Sequence, residues 1–280
     1  MQALFLQEPW LFLLCAGVFG ALIGSFLNVV IYRLPVMMEH AWQDEVADAP
    51  GKERPPRERF NLIVPRSRCG KCGHAITALE NVPIISWLAL RGRCSACGTG
   101  ISARYPLVEA ATAALFVGCA WRFEFTYPAL AAMAFCAVLI TLTGIDLDTQ
   151  LLPDQLTLPL LWLGLLVNLF ATFAHLPDAV IGAAAGYLVL WSVYWLFKLV
   201  TGREGMGYGD FKLLGALGAW FGWQALPMLL LVSSVVGALI GIAILIVQKK
   251  GRHTAIAFGP YLAIAGIITL FFGPQLRQMF

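Results

Sequence analysis

The chain has 280 residues, 59% of them hydrophobic and 12% charged, with a mean hydropathy of +0.77. Soluble domains carry about 25% charged residues, so this composition excludes an ordinary soluble domain and defines a membrane protein. The formal charge of +3 is no argument for nucleic acid as a partner, because membrane topology already accounts for where the basic residues sit.

Apolar runs recur at 11–31, 107–121, 128–145, 156–174, 179–197, 213–222, 226–247 and 259–273. A helix needs about 20 apolar residues to cross the hydrocarbon layer, and these runs predict about eight transmembrane helices, the run at 213–222 being short. No Lys or Arg precedes the first run and Arg33 follows it directly. Cations in short loops stay on the cytosolic side, so the N-terminus is expected outside, and a cleaved signal peptide, which begins with basic residues, is not expected. The cytosolic segments are then 33–105, 146–155, 198–212 and 248–258, and they hold 17 of the 19 Lys and Arg residues, with only Arg122 and Arg277 elsewhere.

After the first run the composition turns charged and Pro-containing, long enough for a small module but too poor in apolar residues to hold its own core, so a staple is expected. Residues 39–60, including Glu53-Arg54-Pro55-Pro56-Arg57-Glu58-Arg59, lack periodicity and read as a flexible or weakly helical insert. Within the module, Cys69-Gly70-Lys71-Cys72 and Cys94-Ser95-Ala96-Cys97 are two Cys-x-x-Cys knuckles separated by 21 residues, each followed by a glycine, Gly73 and Gly98. That spacing lets four thiolates converge on one Zn²⁺. Disulfides are the bland alternative, disfavoured in a reducing cytosol. A site with four thiolates and no open position is structural, folding the module rather than hydrolysing a substrate. Cys15, Cys119 and Cys136 lie inside apolar runs and read as small packing residues.

The chain then re-enters the membrane. From 106 onward, short loops join the runs into one helical bundle, giving a division into a first helix (1–32), a four-cysteine module (33–105) and a membrane bundle (106–280). Two acids abut its apolar runs. Asp146 ends the third run in Thr143-Gly144-Ile145-Asp146-Leu147-Asp148, and Asp210 opens the sixth in Gly207-Tyr208-Gly209-Asp210-Phe211-Lys212. An acid at a helix centre costs about 2.5–3.5 kcal/mol on insertion, so each asks for a reason. They lie 64 positions apart, yet the topology puts both at the cytosolic side. Two carboxylates held close share one proton, so one can take a proton from water while the other protonates a peptide carbonyl. Glycines at 205, 207 and 209 would permit close backbone approach and non-helical angles beside Asp210. The bland reading is that both acids are solvated helix caps, as Asp154 after Pro153 is read to be.

Together these residues resemble a known family, the type IV prepilin peptidases, or prepilin leader peptidase/N-methyltransferases, of the GxGD aspartyl class. The resemblance runs nearly end to end. It rests on Gly24-Ser25-Phe26-Leu27-Asn28-Val29-Val30-Ile31-Tyr32-Arg33-Leu34-Pro35, the paired Cys-x-x-Cys knuckles, Arg104-Tyr105-Pro106-Leu107-Val108-Glu109, and Asp146 with Pro153 seven positions on. It continues in Gly205-Met206-Gly207-Tyr208-Gly209-Asp210-Phe211-Lys212 and Phe258-Gly259-Pro260-Tyr261. The segment Arg66-Ser67-Arg68-Cys69-Gly70-Lys71-Cys72 departs from relatives that often carry proline and asparagine there, although its cysteines are intact.

The resemblance implies a bifunctional inner-membrane enzyme acting at the cytosolic face on prepilins of type IV pili and pseudopilins of type II secretion. It would cleave after the glycine of a basic leader, then methylate the exposed amino group, usually of phenylalanine, with S-adenosylmethionine. Asp146 and Asp210 match the catalytic pair. Asp148 is the nearest competitor for the first role but lacks the seven-residue offset to proline. The methyl-transfer half is expected mainly in the cytosolic module, where no Gly-x-Gly-x-x-Gly locates the cofactor. The segment 80–93 could line that site with 24–33, or simply pack the module on the bundle. Glu80 or Glu109 could receive the amine's proton. Expected partners are leader segments and lipid, with homo-oligomer formation left open.

Other chemistries fit less well. A proton-coupled transporter would place its acids at midplane between interrupted helices. A metalloprotease would need a His-Glu-x-x-His that none of His40, His74, His175 or His253 begins. A serine nucleophile at Ser25 has no base in reach of pattern, and small residues there serve helix packing.

Overall fold

The computed structural model describes residues 5, 8–47, 59–203, 205–248 and 257–277, and the side chains of all of these except 244–248 and 274–277. Among the described residues the fold is all-helical, with no strand and only two isolated β-bridges, Arg68 with Ala75 and Arg93 with Gly100. In chain order the helices are α1 (Pro9–Ala47), α2 (Ile85–Ala89), α3 (Arg104–Phe123), α4 (Tyr127–Thr149), α5 (Asp154–Val167), α6 (Leu176–Thr201), α7 (Tyr208–Phe221), α8 (Leu226–Gln248) and α9 (Gly259–Arg277). Apart from the five-residue α2, these correspond one for one with the eight apolar runs. Among the described residues, four spans are long and apolar enough to cross a membrane: α1, α4, α6 and Trp223–Ala243, which contains most of α8.

The chain divides into two compact units, Met1–Thr141 and Leu142–Phe280. In the first, α1 packs along α3 where glycines remove the side chains between them. A Cβ on Gly20 would lie 2.8 Å from the Cα of Ala113, and one on Gly24 would lie 2.7 Å from the Cα of Glu109. This Gly-x-x-x-Gly stripe lets two backbones approach closely, the packing role expected of small residues around Ser25. Two polar side chains of α1 tie the segment that follows it to the helix. Asn28 donates to the Tyr105 carbonyl at 3.1 Å, and buried Arg33 donates to the carbonyls of Asn61 and Pro65 at 2.8 and 2.6 Å.

α1 runs well beyond its apolar run, through Pro35 to Ala47. Residues 39–47 of the expected insert are therefore helical, and 48–58, with most of Glu53–Arg59, lie outside the described residues. Of the cysteines read as packing residues, Cys119 and Cys136 are fully buried beside each other, but Cys15 is exposed on α1.

In the second unit α7 is the centre. It has only 14 residues, about 21 Å at 1.5 Å per residue, yet almost every side chain from Asp210 to Phe221 is buried. A helix apolar all round is enclosed by other helices, here chiefly α5 and α6, with α9 alongside. Glycines again set the spacing: Gly186 faces the Leu214 carbonyl, and Gly182 and Gly218 abut so closely that neither could carry a side chain. α5 ends earlier than the apolar run 156–174 suggested because Asn168 diverts the backbone. Fully buried, its amide donates to the carbonyls of Ala219 and Trp220, both at 2.9 Å, and its oxygen accepts from the N–H groups of Phe173 and Ala174. Trp220 donates to the Leu160 carbonyl at 2.9 Å and lies over Gly164.

Candidate functional site

Asp146 stands in the last turn of α4, which closes with the Gln150 N–H bonded to the Asp146 carbonyl at 2.9 Å and Gln150 in the left-handed region (φ 56°). Its Oδ2 accepts a hydrogen bond of 2.9 Å from the backbone N–H of Gly259, the first residue of α9. The first amides of a helix have no partner inside it and its dipole favours an anion there, so α9 presents a ready seat for a carboxylate. The seat exists because residue 259 is glycine: a Cβ there would lie 2.6 Å from Oδ2.

Asp210 is the third residue of α7, after the N-cap Gly207, and its own N–H bonds the Gly207 carbonyl at 3.3 Å. An acid in the first turn of a helix suits the positive end of its dipole, a role close to that of a cap. Capping does not exhaust its role, because Asp146 and Asp210 are only 4% and 6% exposed, and the two carboxylates are near enough to interact through their charges. The N-termini of α7 and α9 thus bring two buried acids, 64 residues apart in sequence, into one place. Leu152 packs against Gly209, beside Asp210, and against Gly259, whose N–H bonds Asp146.

The bland reading of both acids as solvated caps does not match this burial. Asp154 also differs from its reading as a cap. Pro153 is the N-cap of α5, and the Asp154 carboxylate goes to Lys212 Nζ instead, at 2.6 and 2.8 Å. Asp148 is exposed, on the other face of α4. Of the three glycines before Asp210, Gly205 and Gly209 serve close approach, to Phe197 and Leu152, while Gly207 keeps ordinary extended angles (φ −84°, ψ 154°), so left-handed freedom is not what they supply.

The four cysteines of the knuckles come together, with Sγ atoms all within 4.8 Å of one another and those of Cys69 and Cys97 at 3.8 Å. A tetrahedral Zn²⁺ with bonds of about 2.3 Å has sulfur–sulfur edges of about 3.8 Å, so the donor set fits that ion. The two knuckles repeat one backbone plan 25 residues apart. Cys69 N–H bonds the His74 carbonyl and Gly73 N–H the Cys69 carbonyl; Cys94 N–H bonds the Thr99 carbonyl and Gly98 N–H the Cys94 carbonyl. Gly73 and Gly98 turn the chain at φ 74° and 68°, values that glycine adopts without penalty. Hydrogen bonds from the Thr99 hydroxyl and backbone hold the Cys97 thiol down at about 6. Although a backbone bond at His74 favours its thiolate, Cys72 is pushed up to about 11 by its crowded sulfur neighbours, Cys97 foremost. A divalent cation among the sulfurs would relieve that crowding.

Glu80 clips the knuckles together. It accepts from the Ser95 hydroxyl of the second and from the Thr77 N–H and hydroxyl at 2.8 and 2.9 Å, with His74 of the first at 3.3 Å. These bonds, the Ser95 hydroxyl foremost, hold its carboxyl down at about 2. Glu109, buried on α3, accepts from the Ile84 N–H at 2.7 Å beside Gly24 of α1, so the segments 24–33 and 80–93 do meet at this acid. Ile84 carries a positive φ of 61°, a conformation rare for a branched residue and one that Glu109 helps to hold.

Apolar helices long enough to cross a membrane, two buried acids at adjoining helix ends and a four-cysteine cluster define a helical membrane protein with a candidate acid site. Comparison with known proteins specifies it. The profile of the Bacterial Peptidase A24 N-terminal domain matches residues 18–123, and that of the Type IV leader peptidase family matches residues 133–242. Proteins named prepilin leader peptidase/N-methyltransferase are similar over nearly the whole chain. The one from Aeromonas hydrophila is 57% identical over 277 residues, covering 97% of this chain and 94% of the relative. Those from Stutzerimonas stutzeri and Pseudomonas aeruginosa are 58% and 54% identical, each covering 98% of this chain and 95% of the relative. No solved structure matches the chain. The chain belongs to the prepilin leader peptidase/N-methyltransferase family, an enzyme with protease and methyltransferase activity.

Sequence reasoning singled out both acids and all four cysteines. It missed the Gly259 amide and the Lys212–Asp154 pair, although the Phe258-Gly259-Pro260-Tyr261 motif and Lys212 were the visible signals.

Proposed function

We propose that this enzyme cuts the basic leader from type IV prepilins and secretion pseudopilins with Asp146 and Asp210 as an aspartyl dyad, then N-methylates the new terminal residue. The observation that carries this reading is the meeting of two buried carboxylates at the N-termini of α7 and α9. With one proton shared between them, the ionised member takes a proton from water as its oxygen attacks the scissile carbonyl. The protonated member gives its proton to that carbonyl oxygen; as the intermediate collapses, the C–N bond breaks, the proton taken from water passes to the leaving nitrogen, and a hydroxyl proton of the diol returns to the dyad. The helix ends then stabilise whichever carboxylate carries the charge.

S-adenosylmethionine, the expected methyl donor, would supply an electrophilic methyl group. This chain's part is to bring the amine forward unprotonated, so a proton must leave it. Glu109, buried where Gly24 and Ile84 meet, is better placed for that than Glu80, which is committed to joining the knuckles. Cys69, Cys72, Cys94 and Cys97 hold a structural Zn²⁺ that folds the 33–105 module. The enzyme crosses the bacterial inner membrane eight times, with its N-terminus in the periplasm and both activities facing the cytosol, in keeping with the distribution of Lys and Arg. Lipid and leader segments are its partners.

The test is mass spectrometry of a prepilin-like peptide incubated with purified enzyme in lipid, with and without S-adenosylmethionine. Asp146→Ala and Asp210→Ala are expected to abolish cleavage while the protein still inserts, and Asp→Asn at either position should do the same. Undiminished processing by any of the four would refute the dyad.

A further inference from the structure

The ion pair between Lys212 and Asp154 lies beside the two acids without belonging to them. Lys212 stands two residues after Asp210, and residues two apart on a helix point to opposite sides, so Asp210 turns to Asp146 while Lys212 turns to α5. There it meets both oxygens of Asp154, at 2.6 and 2.8 Å. Asp154 opens α5, and only Gln150–Pro153 separate it from the end of α4, which carries Asp146. This short connection also holds Leu152, whose side chain touches Gly209 and Gly259.

We propose that Lys212 and Asp154 are positioning residues for the peptidase, an inference that rests on the dyad reading. The pair anchors the α4–α5 connection to the second turn of α7, so that Leu152 keeps its place and the two carboxylates keep their separation. A role in holding the helices together is already filled elsewhere, because α5 and α7 are joined by Trp220 to the Leu160 carbonyl and by Asn168 to the carbonyls of Ala219 and Trp220. The side chains of Lys212 and Asp154 are 29% and 52% exposed, and exposed pairs add little to stability. What the pair adds is register. A misplacement of 1 Å at a reacting centre can cost about 10²-fold in rate.

The test is steady-state cleavage of a prepilin-like peptide by the purified enzyme in lipid, with thermal midpoints measured alongside. Lys212→Met and Asp154→Asn should each lower kcat at least tenfold with KM and midpoint little changed. The double variant should lose no more than either single one, and Lys212→Arg should recover most of the rate because its guanidinium can bind the same carboxylate. A raised KM with kcat intact would assign Lys212 to substrate binding and overturn the proposal, as would additive losses or wild-type kcat in Asp154→Asn. If Lys212→Met fails to insert, Asp154→Asn and Lys212→Arg decide the matter. Asp146→Asn and Asp210→Asn run in the same assay separate the two ideas. Cleavage by either sinks the dyad itself, whereas dead dyad variants beside a fully active Asp154→Asn sink only the positioning role.

Discussion

Replacing Gly259 with alanine tests how finely the seat of Asp146 is built. The added Cβ would lie 2.6 Å from Oδ2, 3.0 Å from Cδ2 of Leu152 and 3.2 Å from Cγ of Asp146. Carbon and oxygen need roughly 3.3 Å without attraction between them, so the carboxylate must retreat by about 0.7 Å, and Leu152 on the other side leaves it little room. The bond from the Gly259 N–H, 2.9 Å at present, would then lengthen beyond useful range. With a 1 Å error worth about 10²-fold, a loss of 30- to 100-fold in kcat is expected, roughly 2–2.7 kcal/mol of barrier at 1.36 kcal/mol per decade. The same change at Gly273, farther along α9, is the control, since its Cβ would meet only Thr269 at an ordinary 3.6 Å. Cleavage of a prepilin-like peptide, measured as initial rate at saturating substrate, reads the difference. Wild-type kcat in Gly259→Ala, with Gly273→Ala equally active, would refute the claim that this amide seats Asp146.

Two further outcomes concern the cysteine cluster and a buried amide. Purified enzyme should contain one zinc per chain by elemental analysis, Cys69→Ser or Cys94→Ser should lose it, and cleavage should survive that loss better than methylation; a metal-free wild-type protein with reduced cysteines would end the zinc claim. Asn168→Ala should lower stability by about 1–3 kcal/mol, because the half-buried N–H groups of Phe173 and Ala174 lose their acceptor. A thermal midpoint in detergent equal to the parent's would count against that account.

The apolar runs announced the helices because lipid leaves a chain few other choices, and the knuckles announced their cluster because ligand spacing is local. What sequence did not disclose is where a polar side chain turns the backbone. Asn168 sits inside an unbroken apolar run, and nothing in that run says its amide will bond Ala219 and Trp220, 51 and 52 residues away, and end α5 early. The end of α1 was hidden for the converse reason. Residues 39–47 are too polar for a span, yet they continue the same helix past Pro35, because a helix leaving lipid loses its apolar constraint without losing its backbone hydrogen bonds.

The acids themselves fall between these cases. Asp146 and Asp210 could be picked out as costly residues at the ends of apolar runs, but Asp146 is seated on Gly259, 113 residues away, and the glycines beside both acids pack on a leucine in a four-residue connection. Each of these partners is ordinary in sequence. A glycine contributes here by what it lacks and Leu152 by filling what is left, so their importance exists only once α4, α7 and α9 are packed. The seat for Asp146 is therefore a property of three helix ends together. Changes in the packing around Leu152 should then alter the rate of cleavage without touching either carboxylate, most directly in Leu152→Ala, which opens space beside both acids. A Leu152→Ala enzyme that is fully folded and fully active would show that the dyad holds its geometry without that side chain.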